Sequence, residues 1–337
     1  MATVRIAAVA VARPPYRIEQ NDAVRLLAVG DRRVQAIARA AQIDTRYLSL
    51  PPAEVLALGG AGERNARYRS IAPDVAEPAL RDVVRAAGDV GFLAVSSCTG
   101  VALPGIDVEL ARRVALPVDT ARVPIAEAGC AGGVVAIARA ADFARAHEHR
   151  DAVALSVETC CLAFHRDDDE STLVSNLIFG DGAGAARIER GDGPGFQIID
   201  AMSAIMPDSA EMIGFDLRDD GLHPILGRRL AEILAPAARE AAVALLRRNE
   251  LGLADVDAWL LHPGGSRVLR ALVCALDLRD EHAPWSWASL RECGNSSSAA
   301  IFDVLHRAWA DVPAGALCVA MAFGPGVSIE SLLLRRC

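Results

Sequence analysis

The stretch Glu127–Ala138, EAGCAGGVVAIA, passes from a glycine-rich loop into a long apolar helix, and the rest of the chain is best interpreted from it. Cys130 lies at the turn, where unpaired backbone N–H groups and the positive end of the helix dipole stabilise a thiolate. Small residues on both sides of the cysteine leave room for a substrate beside its sulfur. The helix is apolar on every face, which predicts that it is buried. A buried structural cysteine is the alternative, but packing alone would not need the flanking glycines.

Two further polar residues occupy glycine-marked turns. His262 follows an apolar strand in Trp259–Gly265, WLLHPGG, and Asn295 precedes a small-residue helix in Cys293–Ala300, CGNSSSAA. Together with the cysteine they can form one acyl-transfer site. The thiolate attacks a thioester carbonyl, the imidazolium balances the thiolate charge, and histidine and asparagine donate hydrogen bonds to the oxyanion. Taken singly, a histidine at a strand end is more often structural, and Gly-Asn-Ser is a common turn or helix cap.

The composition excludes several classes of protein. The 337 residues are 52% hydrophobic but only 4% aromatic, so we expect a large core built from alanine, valine, leucine and isoleucine. All 35 basic residues are arginine and none is lysine, which excludes Schiff-base chemistry, pyridoxal phosphate anchoring and a Walker-type phosphate loop. The net charge of −8, with no basic run, argues against nucleic acid as a partner.

The cysteines, histidines and acidic residues predict no metal site and no disulfide framework. The 8 cysteines are scattered through a core-rich chain, and the adjacent pair Cys160 and Cys161 is poorly spaced for one zinc site. His147 and His149 lie in a polar stretch that is expected to be a solvated helix end. The acidic run Arg166–Glu170 is interpreted as a solvated loop, with a carboxylate metal cluster as the less favoured alternative. Without a leader or a long apolar span, a soluble cytoplasmic protein is expected.

Apolar runs alternate with helical patterns, which predicts α/β architecture with buried strands. The predicted strands are 5–12, 92–96, 152–157, 183–188, 198–202, 258–261, 317–322 and 328–334, and the predicted helices are 31–42, 75–87, 104–115, 131–146, 227–249 and 296–310. Each half of the chain contains a glycine-led turn that opens a small-residue helix. We therefore predict an N-terminal half, 1–190, with the nucleophilic cysteine and a C-terminal half, 196–337, with the histidine and asparagine. The segment Gly191–Gly195 is the predicted junction, and a hairpin loop is an alternative interpretation.

Five short segments, in their order and spacing, resemble one known family. They are Gly129–Gly133 (GCAGG), Phe179–Ala183 (FGDGA), His262–Gly265 (HPGG), Gly294–Ala299 (GNSSSA) and Phe323–Gly326 (FGPG). The chain resembles the bacterial type III polyketide synthases, the chalcone synthase-like branch of the thiolase superfamily. The resemblance implies a thiolase-like, five-layered αβαβα fold made of two pseudo-repeated halves. It also implies a catalytic triad of Cys130, His262 and Asn295 that condenses malonyl-CoA onto an acyl-CoA starter, without a metal or redox cofactor.

The resemblance assigns further residues to the substrate pocket. They are Cys98, Leu103, Ala163, Phe179, Phe215, Pro224, Ser297, Gly324 and Pro325. Phe179 would be a gatekeeper between the substrate tunnel and the cavity, and the backbone of Gly324 and Pro325 would shape the site. Leu103 stands where the family has a methionine that reaches into the partner's cavity in a homodimer. Cys98 is expected to line the pocket, with a second reactive thiol as the alternative.

The same resemblance bears on the substrates. Phe215 adds volume where plant chalcone synthases have glycine, whereas Pro224 and Ala163 remove volume at two other walls. The cavity is thus re-aimed, and we expect an aliphatic or malonyl-derived starter and a pyrone or resorcinol-type product. Arg33 matches one of the basic residues that bind the phosphates of coenzyme A.

Other functions were weighed against this one. A priming-type ketoacyl-carrier-protein synthase shares the triad, but it usually has His-Gln-Ala-Asn in place of His262–Gly265 and lacks the Phe323–Gly326 ending. A degradative thiolase needs a second catalytic cysteine, and neither Cys318 in a predicted strand nor the terminal Cys337 fits. A catalytically inactive thiolase-fold partner protein is disfavoured because all three triad positions are intact.

Overall fold

The computed structural model describes residues 2–27 and 32–337. The strands in these ranges are β1 (Val4–Ala12), β2 (Tyr16–Glu19), β3 (Thr45–Leu48), β4 (Val90–Ser96), β5 (Ala121–Ile125), β6 (Asp151–Glu158), β7 (Gly182–Arg190), β8 (Phe196–Ile205), β9 (Ile213–Arg218), β10 (Gly221–Leu226), β11 (Ala258–Leu261), β12 (Leu317–Gly324) and β13 (Ser328–Arg336). The helices are α1 (Gln20–Leu27), α2 (Arg32–Ala41), α3 (Pro52–Leu56), α4 (Ala61–Val84), α5 (Ile106–Arg113), α6 (Gly132–Ala146), α7 (Glu170–Ile178), α8 (Leu230–Arg248), α9 (Ser266–Ala275), α10 (Pro284–Cys293) and α11 (Ala300–Asp311). Asp31, the predicted first residue of α2, lies outside the described residues.

The large mixed sheet consists of two similar halves. Its order is β11-β12-β13-β8-β1-β7-β6-β4-β5, and β1 meets β8 through only two residue pairs, Arg5 with Gln197 and Ile6 with Phe196. Outward from that junction, β1, β7 and β6 are antiparallel neighbours and β6 is parallel to β4. On the other side, β8, β13 and β12 are antiparallel neighbours and β12 is parallel to β11. The halves therefore repeat the same strand order and directions.

Three apolar clusters separate five layers. Successive side chains of a strand point to opposite faces, so in β4 Phe92 and Ala94 belong to a central cluster and Leu93 and Val95 to an outer one. α6 and α11 lie in the central cluster, between the two halves of the sheet. α4 and α5 cover the outer face of the N-terminal half, and α8 and α9 cover that of the C-terminal half. This αβαβα arrangement confirms the predicted fold class.

The predicted elements omit ten that the structure contains, β2, β3, β5, β9, β10, α1, α3, α7, α9 and α10. Two differences have a clear physical reason. The sequence did not predict β5, because Arg122 and Pro124 are unusual in a strand, but both are exposed on the open edge of the sheet, where proline is tolerated. α4 begins at Ala61, well before the predicted start at Val75. It continues through Pro73 and Pro78, since packing against the sheet compensates for the backbone hydrogen bonds that the two prolines cannot make.

Two loops bear on interpretations that the sequence left open. Gly191–Gly195 joins β7 to β8, but β1 lies between these strands, so the segment crosses the end of β1 and the hairpin alternative is wrong. The acidic run ends at the first turn of α7, where the Asp169 carboxylate accepts a hydrogen bond from the backbone N–H of Thr172. Part of the run thus serves as a helix cap, which satisfies an N–H group that would otherwise lack a partner.

Candidate active site

Cys130 lies in a single 3-10 turn, Gly129–Ala131, at the start of the buried helix α6. Gly129 has a positive φ of 52°, and an added Cβ there would overlap the ring of Pro325. The ring of Pro325 therefore lies directly against the turn that carries the cysteine. Gly133 lies against α11, where an added Cβ would be 2.6 Å from Cγ2 of Ile301 and closer still to the carbonyl of Ser298. The glycines bring the two inner helices into contact beside the thiol.

Asn295 is held by backbone and side-chain hydrogen bonds. Its N–H donates to the carbonyl of Ile178 (2.8 Å) and its carbonyl accepts from the N–H of Gly180 (3.0 Å), which makes a parallel β-bridge with Phe179. The side-chain Oδ1 accepts from the N–H of Ser297 at 2.9 Å, and Nδ2 lies 3.4 Å from the carbonyl of Gly264. The amide is thus fixed with its donor group toward the loop that follows His262.

His262 follows directly after β11, and its N–H donates to the carbonyl of Met321 at 2.8 Å. The side chain is buried, and within the described residues neither ring nitrogen has a hydrogen-bond partner. Burial lowers the pKa of His262 to about 3, because the charged imidazolium loses its hydration. An unpaired, neutral imidazole in a buried position is available to accept a proton.

The thiol of Cys130 is buried and lies 3.5 Å from the hydroxyl of Ser297. Burial raises its pKa to about 11, and hydrogen bonds from Ser297 and Asn295 oppose that rise only in part. The backbone N–H groups at the helix start also lower the pKa of the thiol, but less than burial raises it. Loss of hydration outweighs the backbone N–H groups, so a thiolate at Cys130 requires a positively charged partner.

Glu158 was not predicted from the sequence, although it lies close to two of the predicted site residues. It ends β6, is fully buried, and accepts hydrogen bonds from the N–H of Cys98 (3.1 Å), the hydroxyl of Thr99 (3.0 Å) and that of Ser298. The hydroxyl of Ser297 lies 3.3 Å from Glu158 and 3.4 Å from Sγ of Cys98. Burial raises the pKa of Glu158. Ser297 thus connects Glu158 and Cys98 to Cys130.

Arg46 has a structural role that the sequence did not indicate. Its buried guanidinium donates to the carbonyls of Asn176 (2.8 Å), Leu177 (2.5 Å) and Phe179 (3.2 Å), and to the side chain of Gln20. These carbonyls lie at the C-terminal end of α7, where a cation satisfies groups without helical partners. Burial lowers the pKa of Arg46 to about 9. Arg46 therefore fixes the backbone on which Phe179 stands.

Four of the predicted pocket residues line one cavity. They are Ala163, Phe179, Phe215 and Pro224. Phe215 and Pro224 face each other across the antiparallel pair β9 and β10, which forms a separate two-stranded sheet. The structure thus brings together the three positions at which cavity volume is predicted to change.

The other predicted site residues do not line that cavity; they are Cys98, Leu103, Ser297, Gly324, Pro325, Arg33, Cys130, His262 and Asn295. Leu103 is 90% exposed and does not line it within one chain. Arg33 lies on α2 with its guanidinium 3.9 Å from the carboxylate of Asp168. A second cavity lies nearby, lined by Asp169, Ile178, Gly264, Gly265 and Arg267, and its glycines belong to the loop after His262.

A buried cysteine at the start of an inner helix, with a histidine and an asparagine on turns of the other half of a five-layered fold, is the arrangement of a thiolase-like condensing enzyme. Family models described as chalcone and stilbene synthases match residues 64–194 with their N-terminal domain and residues 197–337 with their C-terminal domain. The chain belongs to the chalcone and stilbene synthase family and is a type III polyketide synthase. This membership favours the predicted function over a priming-type synthase or an inactive partner protein.

Several named relatives align with most of the chain. A 1,3,6,8-tetrahydroxynaphthalene synthase of Streptomyces peucetius subsp. caesius is 34% identical, covering 98% of this chain and 92% of that protein. A phloroglucinol synthase of Pseudomonas fluorescens is 32% identical, covering 86% and 85%. The crystal structure of the tetrahydroxynaphthalene synthase of Streptomyces coelicolor superposes with a TM-score of 0.90 at 29% identity, over 99% of both chains.

Proposed function

We propose that the enzyme extends an acyl-CoA starter by repeated decarboxylative condensation with malonyl-CoA, with Cys130 carrying the growing chain. One observation carries the proposal: the thiol of Cys130, the hydroxyl of Ser297 and the amide of Asn295 lie together where α6 and α11 begin. Relatives named for the synthesis of tetrahydroxynaphthalene, phloroglucinol and α-pyrones support it.

In the loading step, Sγ of Cys130 attacks the carbonyl carbon of the starter thioester. The thiol proton passes to His262, a neutral imidazole at rest, and the imidazolium stabilises the thiolate whose formation burial opposes. The bond between the carbonyl carbon and the sulfur of coenzyme A then breaks. The departing thiolate takes up the proton, which leaves the starter as a thioester on Cys130.

In the extension step, malonyl-CoA loses carbon dioxide and becomes an enolate. His262 and Nδ2 of Asn295 donate hydrogen bonds to the enolate oxygen, where the negative charge develops. The enolate carbon attacks the Cys130 thioester, a carbon–carbon bond forms and the bond to Sγ breaks. The extended chain, now on coenzyme A, returns to Cys130 for the next cycle. Because side chains stabilise the charge and no carbon needs an external oxidant, the proposal requires no metal or redox cofactor.

Measuring acylation and extension separately distinguishes the proposed roles of Cys130 and Asn295. Asn295→Ala should still gain the mass of an acyl group from a starter acyl-CoA, but its release of carbon dioxide from malonyl-CoA should fall about 10²–10³-fold. Cys130→Ala should lose the acyl adduct, whereas Cys293→Ala, another buried thiol, should keep it. Equal loss of acylation and extension in Asn295→Ala would contradict the assignment.

For the starter, we propose an aliphatic or malonyl-derived acyl group that gives a pyrone, resorcinol or related aromatic product. Phe215 occupies one wall of the cavity lined by Ala163 and Pro224, so a bulky aromatic starter would collide with it. A linear chain would gain about 0.8 kcal/mol for each methylene that it buries. Product analysis by mass spectrometry over a ladder of starters tests this, and a preference for coumaroyl-CoA over every aliphatic starter would contradict it.

The second cavity is the proposed mouth for coenzyme A. Gly264 and Gly265 connect this cavity to His262, and Arg228 and Arg267 line it. Arg33 is not part of the lining and forms an ion pair with Asp168. Arginine is the appropriate residue because its planar guanidinium binds phosphate oxygens in pairs. This arrangement supports the earlier assignment of Arg33 and adds two guanidiniums from the C-terminal half.

The proposed assembly is a homodimer. Val101, Leu103 and Val118 are large apolar side chains that are mostly exposed in one chain, and β5 leaves an open edge of the sheet. Exposed apolar groups and an unpaired edge strand favour contact with a second copy. Sedimentation of the purified chain tests this: Leu103→Asp should shift the equilibrium toward monomer, and a wild-type monomer at micromolar concentration would contradict it.

We also propose that the enzyme acts in the cytoplasm. Its cysteines in the described part of the chain are free thiols, as a reducing compartment requires. In that same part, none of the helices combines the length and the apolar character needed to cross a bilayer.

A further inference from the structure

Two histidines and an aspartate meet between the two halves of the molecule, next to the cavity that holds Phe215. His165 follows the 3-10 turn Cys160–Ala163, Asp220 lies in the turn between β9 and β10, and His223 is in β10. The two imidazole rings are buried and stacked, with centroids 3.9 Å apart and planes inclined by 19°. One ligand atom from each of the three residues can be chosen so that all lie within 4.8 Å of one another.

His165 is oriented as a ligand. Its Nε2 lies 3.0 Å from the carbonyl of Leu222, and because a carbonyl only accepts, Nε2 carries the proton. Nδ1 therefore keeps its lone pair, and it lies 3.6 Å from Oδ2 of Asp220. A histidine whose other ring nitrogen donates to a carbonyl is the usual arrangement at metal centres.

His223 and Asp220 complete the donor set. Nε2 of His223 lies 2.9 Å from Oδ1 of Asp220, and Nδ1 lies 3.8 Å from Oδ2 of Asp167. For a cation to bind at Nε2, the neutral ring must carry its single proton on Nδ1, on the side of the Asp167 carboxylate. The side chain of Asp220 is 60% exposed, so it can rotate onto the ion and leaves a position open to water.

Two guanidiniums lie close to this cluster and oppose a cation. Arg64 donates to the carbonyls of Gly59, Leu162 and Phe164, so its charge is held toward the backbone. Arg218 lies 3.4 Å from Nδ1 of His223, but it is paired with Asp216 at 2.9 Å. The charge of Arg218 is thus partly neutralised by Asp216, and that of Arg64 is oriented toward carbonyl groups.

We propose that His165, His223 and Asp220 bind one divalent transition-metal ion of the Zn²⁺ class, with water as a further ligand. Two imidazoles and one carboxylate suit zinc, cobalt or nickel, whereas Mg²⁺ and Ca²⁺ prefer oxygen ligands. The ion would tie the β9 and β10 hairpin of the C-terminal half to the loop of the N-terminal half. Since His223 precedes Pro224 and His165 lies two residues after Ala163, the ion would fix two walls of the cavity.

Cobalt binding to the tag-free full chain tests the proposal, because Co²⁺ reports its ligands by absorption. We expect one Co²⁺ per chain, visible d–d bands of low symmetry, and displacement by Zn²⁺ but not by Mg²⁺. Asp220→Asn should weaken the affinity at least about tenfold, and His223→Gln should abolish binding. Asp220 is exposed, so its variant should fold normally, and circular dichroism checks this.

The control removes a pair of surface histidines that could also bind the ion. His147→Gln/His149→Gln eliminates an exposed pair at the end of α6 and should leave the cobalt spectrum unchanged. Loss of the signal in this double variant, retention of full affinity in Asp220→Asn, or an intense thiolate-to-cobalt charge-transfer band would each overturn the proposal. Absence of Co²⁺ binding in the folded wild-type chain would do so as well. None of these readouts depends on polyketide synthesis.

Discussion

The catalytic side and the hairpin side of the site are built differently. Cys130 and Asn295 stand just before α6 and α11, the two inner helices of the central apolar cluster. Phe215 and Pro224 line the cavity and belong to the hairpin of β9 and β10, whose strands pair only with each other within the described residues. Leu217 on that hairpin is 69% exposed, whereas the three proposed catalytic residues are buried. The proposed chemistry thus rests on a constrained part of the fold, and the proposed substrate selection rests on a hairpin at its margin.

This difference has a physical origin. A charge that develops during the reaction must be met by donors that do not move, so the donors are fixed by backbone hydrogen bonds and close helix contacts. A cavity wall only has to exclude or admit volume, and a two-stranded hairpin can change side chains without disturbing the core. We therefore expect substitutions on the two sides to act on different measured quantities.

The largest expected effect tests whether the triad side works as a unit. With His262 neutral, the pKa of the Cys130 thiol is about 11, and the thiolate forms only when its proton passes to the imidazole, so His262→Gln should slow every reaction of the thiolate. A thiol of that pKa is ionised to about one part in 10⁴ at pH 7, so without the proton acceptor iodoacetamide labelling should fall to the rate of that fraction.

The measurement is the rate of Cys130 alkylation as a function of pH. The wild-type profile should lie at lower pH than that of His262→Gln, and the exposed variant His306→Gln should match wild type. Identical profiles with and without His262 would show that the imidazole does not control the thiol.

A pair of glycine substitutions compares the rigidity of the two sides. In Gly133→Ala the new Cβ would meet Ser298 and Ile301, so we expect a loss of about 1–3 kcal/mol in the free energy of unfolding. Gly214→Ala in β9 meets nothing within 4 Å and should be neutral or stabilising by up to about 1 kcal/mol. Denaturant unfolding measures both, and equal losses would break the comparison.

The hairpin side should change selectivity and leave the chemistry intact. Phe215→Gly removes the wall that excludes bulky starters, so the ratio of kcat/KM for aromatic over aliphatic starters should rise about tenfold. Leu217→Gly carries a similar backbone cost in the same strand but does not line the cavity, so its ratio should stay unchanged. A fall in Cys130 acylation equal for every starter would assign Phe215 to the chemistry instead.

The smallest effect is expected at the cavity proposed as the mouth for coenzyme A. Arg33→Ala should raise KM for malonyl-CoA up to about fivefold with kcat unchanged, because an exposed ion pair contributes at most about 1 kcal/mol. Arg279→Ala, exposed and paired with Glu281 elsewhere, is the control. An unchanged KM would remove Arg33 from the coenzyme A site.

The sequence was informative where the signal is local. Glycine-led turns and strand ends marked Cys130, His262 and Asn295, and alternating apolar runs predicted eight strands of the large sheet. Features that depend on tertiary contact were missed. Glu158 looks like an ordinary strand end until the fold surrounds it with hydroxyl groups, and His165 meets His223 only through the packing of the two halves. How strongly burial raises the pKa of the Cys130 thiol depends on the whole fold and is not visible in a local pattern.

The β-bridge between Phe179 and Asn295 has a consequence for how such enzymes can be altered. Phe179 is the proposed gatekeeper of the cavity and Asn295 is the proposed donor to the enolate, yet the two share a pair of backbone hydrogen bonds. A change at the gate that shifts its backbone is transmitted to the amide, so gate width and turnover cannot be tuned as separate variables. Double-mutant cycles across this bridge should be non-additive, whereas cycles between the amide and the distant hairpin should add. Evolution toward new products is therefore less hindered along the hairpin than at the gate.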